Sequence, residues 1–513
     1  MQDNASERRL GRQRVVLLLA FLAGGAALRF AALARFPPAN YRDVALTALD
    51  AMRAAAGHPR LHFTYDEGMY ADLMGLAFAL FGVSDVVLRG LGAACGLLTC
   101  WGVARLGQAL DRPRAGLLGA GLLAVSFWHV LLSRSGFRVI LLPLLLVHAT
   151  ALLVVAMRRG GRLRFTAAGL LFGLGVHAYP AIRFAPLILP LYLLAERRDD
   201  RRRFGRSLPG LLVFAAAALV AALPMLLHYL HHPEHFNFPH RVVSVFSPRV
   251  DAAQIPAELA GNLLRTALMF HVRGDANWRH NLAGAPMLDP VSGILLIAGA
   301  VILLRRGQGA ARALLFGWLS AMLLPNLLSV EGVPHGLRSC AVLPGLALIC
   351  GIGLEHLERC VAGRAGRRLA AAGSVALLVL LGCFTAYRYF VVWGTDARVV
   401  EAHDGALRAA ARVLLEAPPG TDRILVANGT GSPAYGYPAE AQVYLFEMRD
   451  APPIMVGPKD AALLILQGRP ALVALIRSDD RVERALRELN PQASIRRIER
   501  PDLSPESPVY RID

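Results

Sequence analysis

The sequence predicts a polytopic α-helical membrane protein that carries a small α/β domain at its C-terminal end. Three observations predict it. First, 55% of the 513 residues are apolar, the mean hydropathy is +0.45, and the apolar residues lie in long blocks. Second, charge is sparse but one-sided: 18% of residues are charged, and 55 basic against 37 acidic residues give a formal charge of +18. Third, beyond residue 393 the blocks give way to a mixed polar and apolar tail. Disorder is excluded, because it combines charge with low hydrophobicity. A nucleic-acid binder would account for the charge but not for the blocks.

A hydrocarbon core of about 30 Å takes roughly 20 apolar residues per helix. That window gives about eleven spans, near 14–36, 85–110, 114–132, 137–157, 165–180, 183–195, 208–230, 287–304, 310–328, 338–357 and 369–393. The pieces at 165–180 and 183–195 are short. The first block follows Arg8, Arg9, Arg12 and Arg14 as a signal peptide would, but it outruns the roughly 7–15 residues of a signal core and reads as an anchor.

The arginines orient the chain. Basic runs at the N-terminus and at 112–114, 158–164, 197–206, 305–312 and 359–368 fall on alternate loops, which places them on the cytoplasmic side. Residues 1–13 are then cytoplasmic and 14–393 form the transmembrane domain, with outer loops at 37–84 and 231–286. Residues 394–513 form an extracytoplasmic α/β domain. In this tail 398–415 and 479–489 read as helices, and 423–427 and 470–476 as strands. The tail holds 15 basic and 17 acidic residues, so the membrane portion carries about +20. The six cysteines contain no C-x-x-C pair and read as small buried hydrophobes.

Chemistry collects on the outer loops. Asp43, in Asn40-Tyr41-Arg42-Asp43, opens a helix whose Ala45, Leu46, Leu49 and Met52 share an apolar face suited to the membrane surface. A carboxylate there could serve as a general base, but spacing alone favours an N-terminal capping residue stabilised by the helix dipole. Tyr65-Asp66-Glu67-Gly68 precedes an apolar segment at 70–82, a second interfacial helix. Arg138, Arg183 with Tyr179, and Arg338 with His335 stand at span ends, where guanidinium groups hold phosphate or snorkel to the interface. The densest cluster, residues 273–286, supplies Arg273, Asp275, Asn277, Trp278, Arg279, His280 and Asn281 just before a span. That mixture suits a polar, phosphorylated ligand. His228, His231, His232, His235 and His240 also lie close in sequence, yet no i/i+4 pair flanks a catalytic Glu, and no metal centre is expected.

In this order the pieces resemble the GT-C glycosyltransferases, specifically the protein O-mannosyltransferase-like (family 39) and aminoarabinose-transferase-like group. Tyr41-Arg42-Asp43-Val44-Ala45 is similar to the group's first-loop acidic motif, with Val44 where Glu is usual. Ser126-Phe127-Trp128-His129 with Ser133-to-Arg138, His177-to-Arg183, Asn277-to-Gly284 and Pro334-to-Arg338 are similar to bacterial members. The resemblance spans residues 14–357 and implies a polyprenyl-phosphate sugar donor and transfer to a protein, lipid or glycan acceptor outside a bacterial inner membrane. It makes Asp43 the catalytic base. Glu67, Arg138, Tyr179, Arg183, Arg279, His280, Asn281, His335 and Arg338 become the substrate-binding set. No nucleotide cofactor is implied, a divalent metal is optional, and nucleic acid is no partner. A polyprenyl-lipid flippase or an inactive membrane scaffold are the alternatives.

Overall fold

Each expected apolar block folds into one helix or a broken pair of helices, since a chain in lipid must satisfy its backbone hydrogen bonds within the segment. The structure is a computed structural model that describes residues 2–63, 67–306, 309–431, 433–457, 460 and 469–513. Tyr65 and Asp66 of the first-loop acidic motif, and the side chain of His240, lie outside what it describes. Among the described residues seven helices are long and apolar enough to cross a membrane. They are Gly11–Phe30, Asp85–Ala109, Arg138–Arg159, Arg201–His231, Gly309–Leu327, Cys340–Ala365 and Arg367–Trp393. Pro113–Val125 and Phe127–Arg134, bent by 59°, make an eighth if the pair is one span.

The other three predicted spans are shorter. Arg162–Leu174, Ile188–Asp199 and Pro290–Arg306 have 13, 12 and 17 residues, below the roughly 20 of a straight crossing. Pro180 and Pro186 hold 180–187 as a 3-10 turn, because proline cannot continue an α-helical ladder. Large side chains such as Leu212, Val220, Leu230 and Leu380 are exposed. An apolar surface of this extent belongs to an integral membrane protein. Cys360 and Cys383 are exposed too, so only Cys95, Cys100, Cys340 and Cys350 are the buried hydrophobes expected.

The bend at Ser126 frees carbonyls that no water can reach. Arg29, fully buried, donates to Ala124 O at 2.7 Å and Leu123 O at 3.4 Å, and the Thr385 hydroxyl donates to Val125 O at 2.6 Å. Arg134, on the far side of the bend, closes the end of the first helix by donating to Leu28 O, Arg29 O and Ala31 O at 2.7–2.8 Å. Arg89 donates to Leu33 O at 2.9 Å. Arg29 and Arg134 therefore meet the negative end of a helix dipole, and Arg89 serves the turn that follows the first helix. Close packing elsewhere relies on small residues: a Cβ on Gly299 would lie 1.9 Å from Ile349 O.

Chain contacts divide the molecule into two compact units. The first comprises Met1–Leu33, Arg60–Tyr70 and Asp85–Trp393; the second comprises Ala34–Pro59, Ala71–Ser84 and Gly394–Asp513. The expected first-loop helices form as Arg42–Ala55 and Met69–Phe81. Strands β1 (Asp422–Val426), β2 (Ile454–Val456), β3 (Ala471–Leu475), β4 (Ile495–Arg497) and β5 (Val509–Ile512) make one sheet in the order β2-β1-β3-β5-β4. Its β2-β1-β3 part is parallel, and β5 runs antiparallel to both β3 and β4. Ile424, Val473 and Tyr510 pack with Val482 and Leu486 of the Asp480–Leu489 helix. The expected 398–415 helix is two, Ala397–Ala402 and Gly405–Leu415, broken where Asp404 turns left-handed at φ +57°.

Replacing Arg134 by Ala leaves the carbonyls of Leu28, Arg29, Ala31 and Ala32, at and just beyond the first helix end, without this donor, and a buried orphan such as Arg29 O costs about 1–3 kcal/mol. The detergent-solubilised variant is expected to melt well below wild type. Arg134→Lys should recover little, because an ammonium cannot span the same carbonyls. A wild-type melting temperature for Arg134→Ala would remove the helix-closing role.

Candidate active site

Glu67 is placed by a tight reversal in the first outer loop. His62 and Glu67 form an isolated antiparallel bridge, and the Gly68 N–H donates to Leu61 O at 2.8 Å. A Cβ at position 68 would sit 1.8 Å from Arg60 O, so only glycine allows the approach. Glu67, buried, then pairs with Arg138 and accepts a hydrogen bond from the Tyr229 hydroxyl at 3.0 Å. Arg138 lies over the Tyr179 ring at 5.2 Å. Burial pushes the Tyr179 phenol up, while Arg138 and then Arg338 pull it down. Both predicted arginines therefore reach the same tyrosine electrostatically.

Arg183 stacks on Phe236 at 4.0 Å and faces Tyr229 at 5.6 Å, and its Nη1 donates to Phe236 O. Glu67, Arg183 and Tyr229 are the polar members of a cavity of about 370 Å³ whose other walls include Phe172, Val176, Ile182, Leu219, Leu226 and Phe236. The cavity is apolar except where these three touching residues meet. A long hydrocarbon with a charged head fits that division.

The 273–286 loop is knotted around Asp275. Its carboxylate accepts from the Asn277 N–H at 2.7 Å, from His280 Nδ1 at 2.8 Å and from the Gly336 N–H at 2.6 Å. A Cβ on Gly336 would lie 3.1 Å from the Cβ of His280 and 3.3 Å from the carboxylate, so the Pro334-to-Arg338 turn packs tightly on Asp275. Because an ionised carboxylate only accepts, Nδ1 of His280 carries the proton. Burial lowers the His280 imidazole against the pull of Asp275. His335, stacked obliquely at 4.6 Å, lies well below its ordinary value through burial first and then His280, Arg338 and Arg279. Both imidazoles are neutral at pH 7. The Phe137 ring meets His280 edge-on at 5.9 Å, which ties this knot to the Arg138 side of the site.

The spanning unit thus gathers Glu67, Arg138, Tyr179, Arg183, His280, His335 and Arg338, with the charge of Arg279 felt at both histidines. Two predicted ligands are engaged internally. The Asn281 amide donates to Asp275 O and Ala285 O, and Arg338 is tied to Ser329 Oγ at 2.6 Å. Sequence reasoning passed over Tyr229, which carries no motif, and Asp275, which stood inside the polar cluster but had no sign of its threefold role.

Asp43 lies in the second unit, exposed in the first turn of Arg42–Ala55, where Tyr41 and not Asp43 is the N-cap. Its neighbour Arg42 is clamped. The Arg42 guanidinium donates to Asp404 Oδ2 at 2.9 Å and pairs with Glu440 at 2.9 Å. Farther along the helix Asp50 accepts from the Tyr435 hydroxyl, and Arg53 lies 3.4 Å over the Tyr435 ring. These partners come from the C-terminal segment, and nothing in the motif foretold them.

With the geometry in hand, likeness to known proteins is specific. Residues 69–228 match the family model described as dolichyl-phosphate-mannose-protein mannosyltransferase. No curated protein sequence matches the chain. Among solved structures, ArnT from Cupriavidus metallidurans bound to undecaprenyl phosphate superposes with a TM-score of 0.61 at 14% identity, over 96% of this chain and 97% of that one. The Archaeoglobus fulgidus oligosaccharyltransferase tethered to an acceptor peptide gives 0.50 at 15%, over 94% and 69%. Arabinofuranosyltransferase AftD from Mycobacteria gives 0.50 at 15%, over 98% and 40%. The GT-C fold expected from the motifs is the fold of this molecule.

Burial pushes the Glu440 carboxyl up, but its backbone hydrogen bonding, Arg42 and Arg477 outweigh it and hold the group below its ordinary range. A depressed carboxyl stabilises the fold fully above its unfolded value near 4.5 and loses that contribution as pH falls through the lower folded value. Unfolding followed by heat from pH 7 to pH 3 should therefore show Glu440→Gln less stable than wild type at pH 7 and converging with it in acid. Parallel curves would show that the Arg42 clamp contributes nothing.

Proposed function

We propose that the protein is a membrane glycosyltransferase that takes a sugar from a polyprenyl-phosphate donor and passes it to an acceptor on the extracytoplasmic face. The observation that carries this reading is the cavity, apolar throughout except where Glu67, Arg183 and Tyr229 meet. An isoprenoid tail matches its walls and a phosphate matches its arginine. The ArnT structure that shares this fold holds undecaprenyl phosphate, and the family model matched over 69–228 is that of an enzyme described by a dolichyl-phosphate-mannose donor. A flippase would carry its charged residues within the spans along a translocation path, whereas Arg138, Arg183 and Arg338 stand at span ends.

In the reaction Asp43 takes the proton of the acceptor hydroxyl or amine. The acceptor attacks the anomeric carbon, the sugar–phosphate bond breaks, and configuration inverts. Arg183 and Arg138 stabilise the charge that gathers on the departing phosphate. Glu67 sets Arg138 in place, and neutral His280 and His335 offer hydrogen bonds to the sugar without adding charge. The alternating arginine loops orient the catalytic face outward from a bacterial inner membrane.

Binding of undecaprenyl phosphate to the purified protein tests the cavity. Arg183→Ala should weaken it about 10- to 100-fold, the worth of one charge-assisted contact, and unchanged binding would vacate the assignment. Mass spectrometry of glycans and glycolipids from cells with and without the protein identifies the transferred sugar. With that donor in hand, Asp43→Asn should cut turnover about 10²- to 10⁴-fold and leave donor binding intact. Wild-type turnover in the correctly inserted variant would take Asp43 out of the base role.

A further inference from the structure

Beside Glu67, the first outer loop brings an imidazole to a group of histidines 166 residues farther along the chain. His62 stacks on His235 with ring centres 4.3 Å apart and planes 4° from parallel, and lies 5.2 Å from His228. His228 Nε2 and His235 Nδ1 share a hydrogen bond at 2.9 Å. His228 lies in the last turn of the Arg201–His231 helix and His235 stands in the first turn of Pro233–Val243, so the reversal at Pro233 turns both rings toward His62. One ring nitrogen from each of the three lies within 4.8 Å of the others.

We propose that His62, His228 and His235 bind one divalent transition-metal ion of the zinc class, which staples the first outer loop to the end of the Arg201–His231 helix. Two features carry this. The His62 Nδ1 atom is buried with no hydrogen-bond partner among the described residues. Imidazole donors suit zinc, copper, nickel and cobalt and not the hard cations magnesium and calcium. Glu67 itself is committed to Arg138 and Tyr229 and is no ligand.

Metal–nitrogen bonds of about 2.0–2.1 Å place tetrahedral donors roughly 3.3 Å apart. Ring nitrogens now up to 4.8 Å apart must close to that spacing, the His228–His235 pair at 2.9 Å must open to it, and His62 and His235 must turn from face-to-face stacking to edge-on convergence. His232, whose ring centre is 4.8 Å from that of His228, supplies the fourth donor on turning from Glu234, its present partner at 3.1 Å. Four protein donors make a closed, structural site. His62 and Glu67 are bridge partners, so the ion would also steady Glu67.

The full chain, purified through a tag free of histidine, stripped with chelator and kept in detergent micelles, is titrated with Co²⁺. One equivalent should bind with visible bands of tetrahedral intensity, Zn²⁺ should abolish them, and the melting temperature should rise with metal. His62→Ala should weaken binding about 100-fold or more, since losing even an outer-shell partner costs 10- to 100-fold, and His235→Asn serves if that variant does not fold. Absence of stoichiometric binding in wild type, or equal affinity in a folded variant, overturns the site. Because the readout is metal binding, its failure leaves the glycosyltransferase reading untouched, and loss of sugar transfer leaves the metal site untouched.

Discussion

The spanning unit depends on guanidinium groups that close broken helices where water is absent. The carbonyls released at Ser126 and at the end of the first helix would each be an orphan in lipid. Arg29 and Arg134 lie on the two elements that need each other: Arg29 on the first helix serves the bend, and Arg134 beyond the bend serves the first helix. A planar fork with several donors suits this work better than an ammonium. The break is therefore stable, and it lets the chain turn at Ser135–Phe137 and present Arg138 to Glu67.

The site inherits that economy. Arg138 is set by Glu67, Glu67 by Tyr229 and by a glycine that admits the Arg60 carbonyl, and the His280 tautomer by Asp275. The charges named in the site are thus paired, hydrogen-bonded or stacked on aromatic rings, as burial demands. In the second unit the same logic places Asp43. It stands exposed on a helix whose neighbouring Arg42 is held by two acids from the C-terminal segment, which gives that domain a part in fixing the first-loop motif.

Much of this was legible in the sequence, for reasons that can be named. Every predicted span falls on a helix or helix pair, because a block of apolar residues in lipid has no other way to satisfy its backbone. Among the described residues the helices long enough to cross number seven, or eight with the bent pair, and three of the eleven expected spans fall on shorter helices, because hydropathy does not register where proline halts a helix or where a span runs short. The strands at 422–426 and 471–475 and the helix at 480–489 follow the predicted patterns within a residue. The predicted 398–415 helix missed the left-handed turn at Asp404, whose carboxylate pairs with Arg42.

By itself the sequence determined the class of protein, the helical spans, the α/β tail and the residue types gathered on one set of loops, since these follow from hydropathy, periodicity and local order along the chain. Only tertiary structure decided which of those residues meet. It joined Glu67 to Arg138 and Tyr229 and wrapped the 273–286 loop around Asp275. It also gave Asn281 to the backbone and carried His62 to His228 and His235. Such pairings depend on contacts between segments tens to hundreds of residues apart, and no local pattern encodes them.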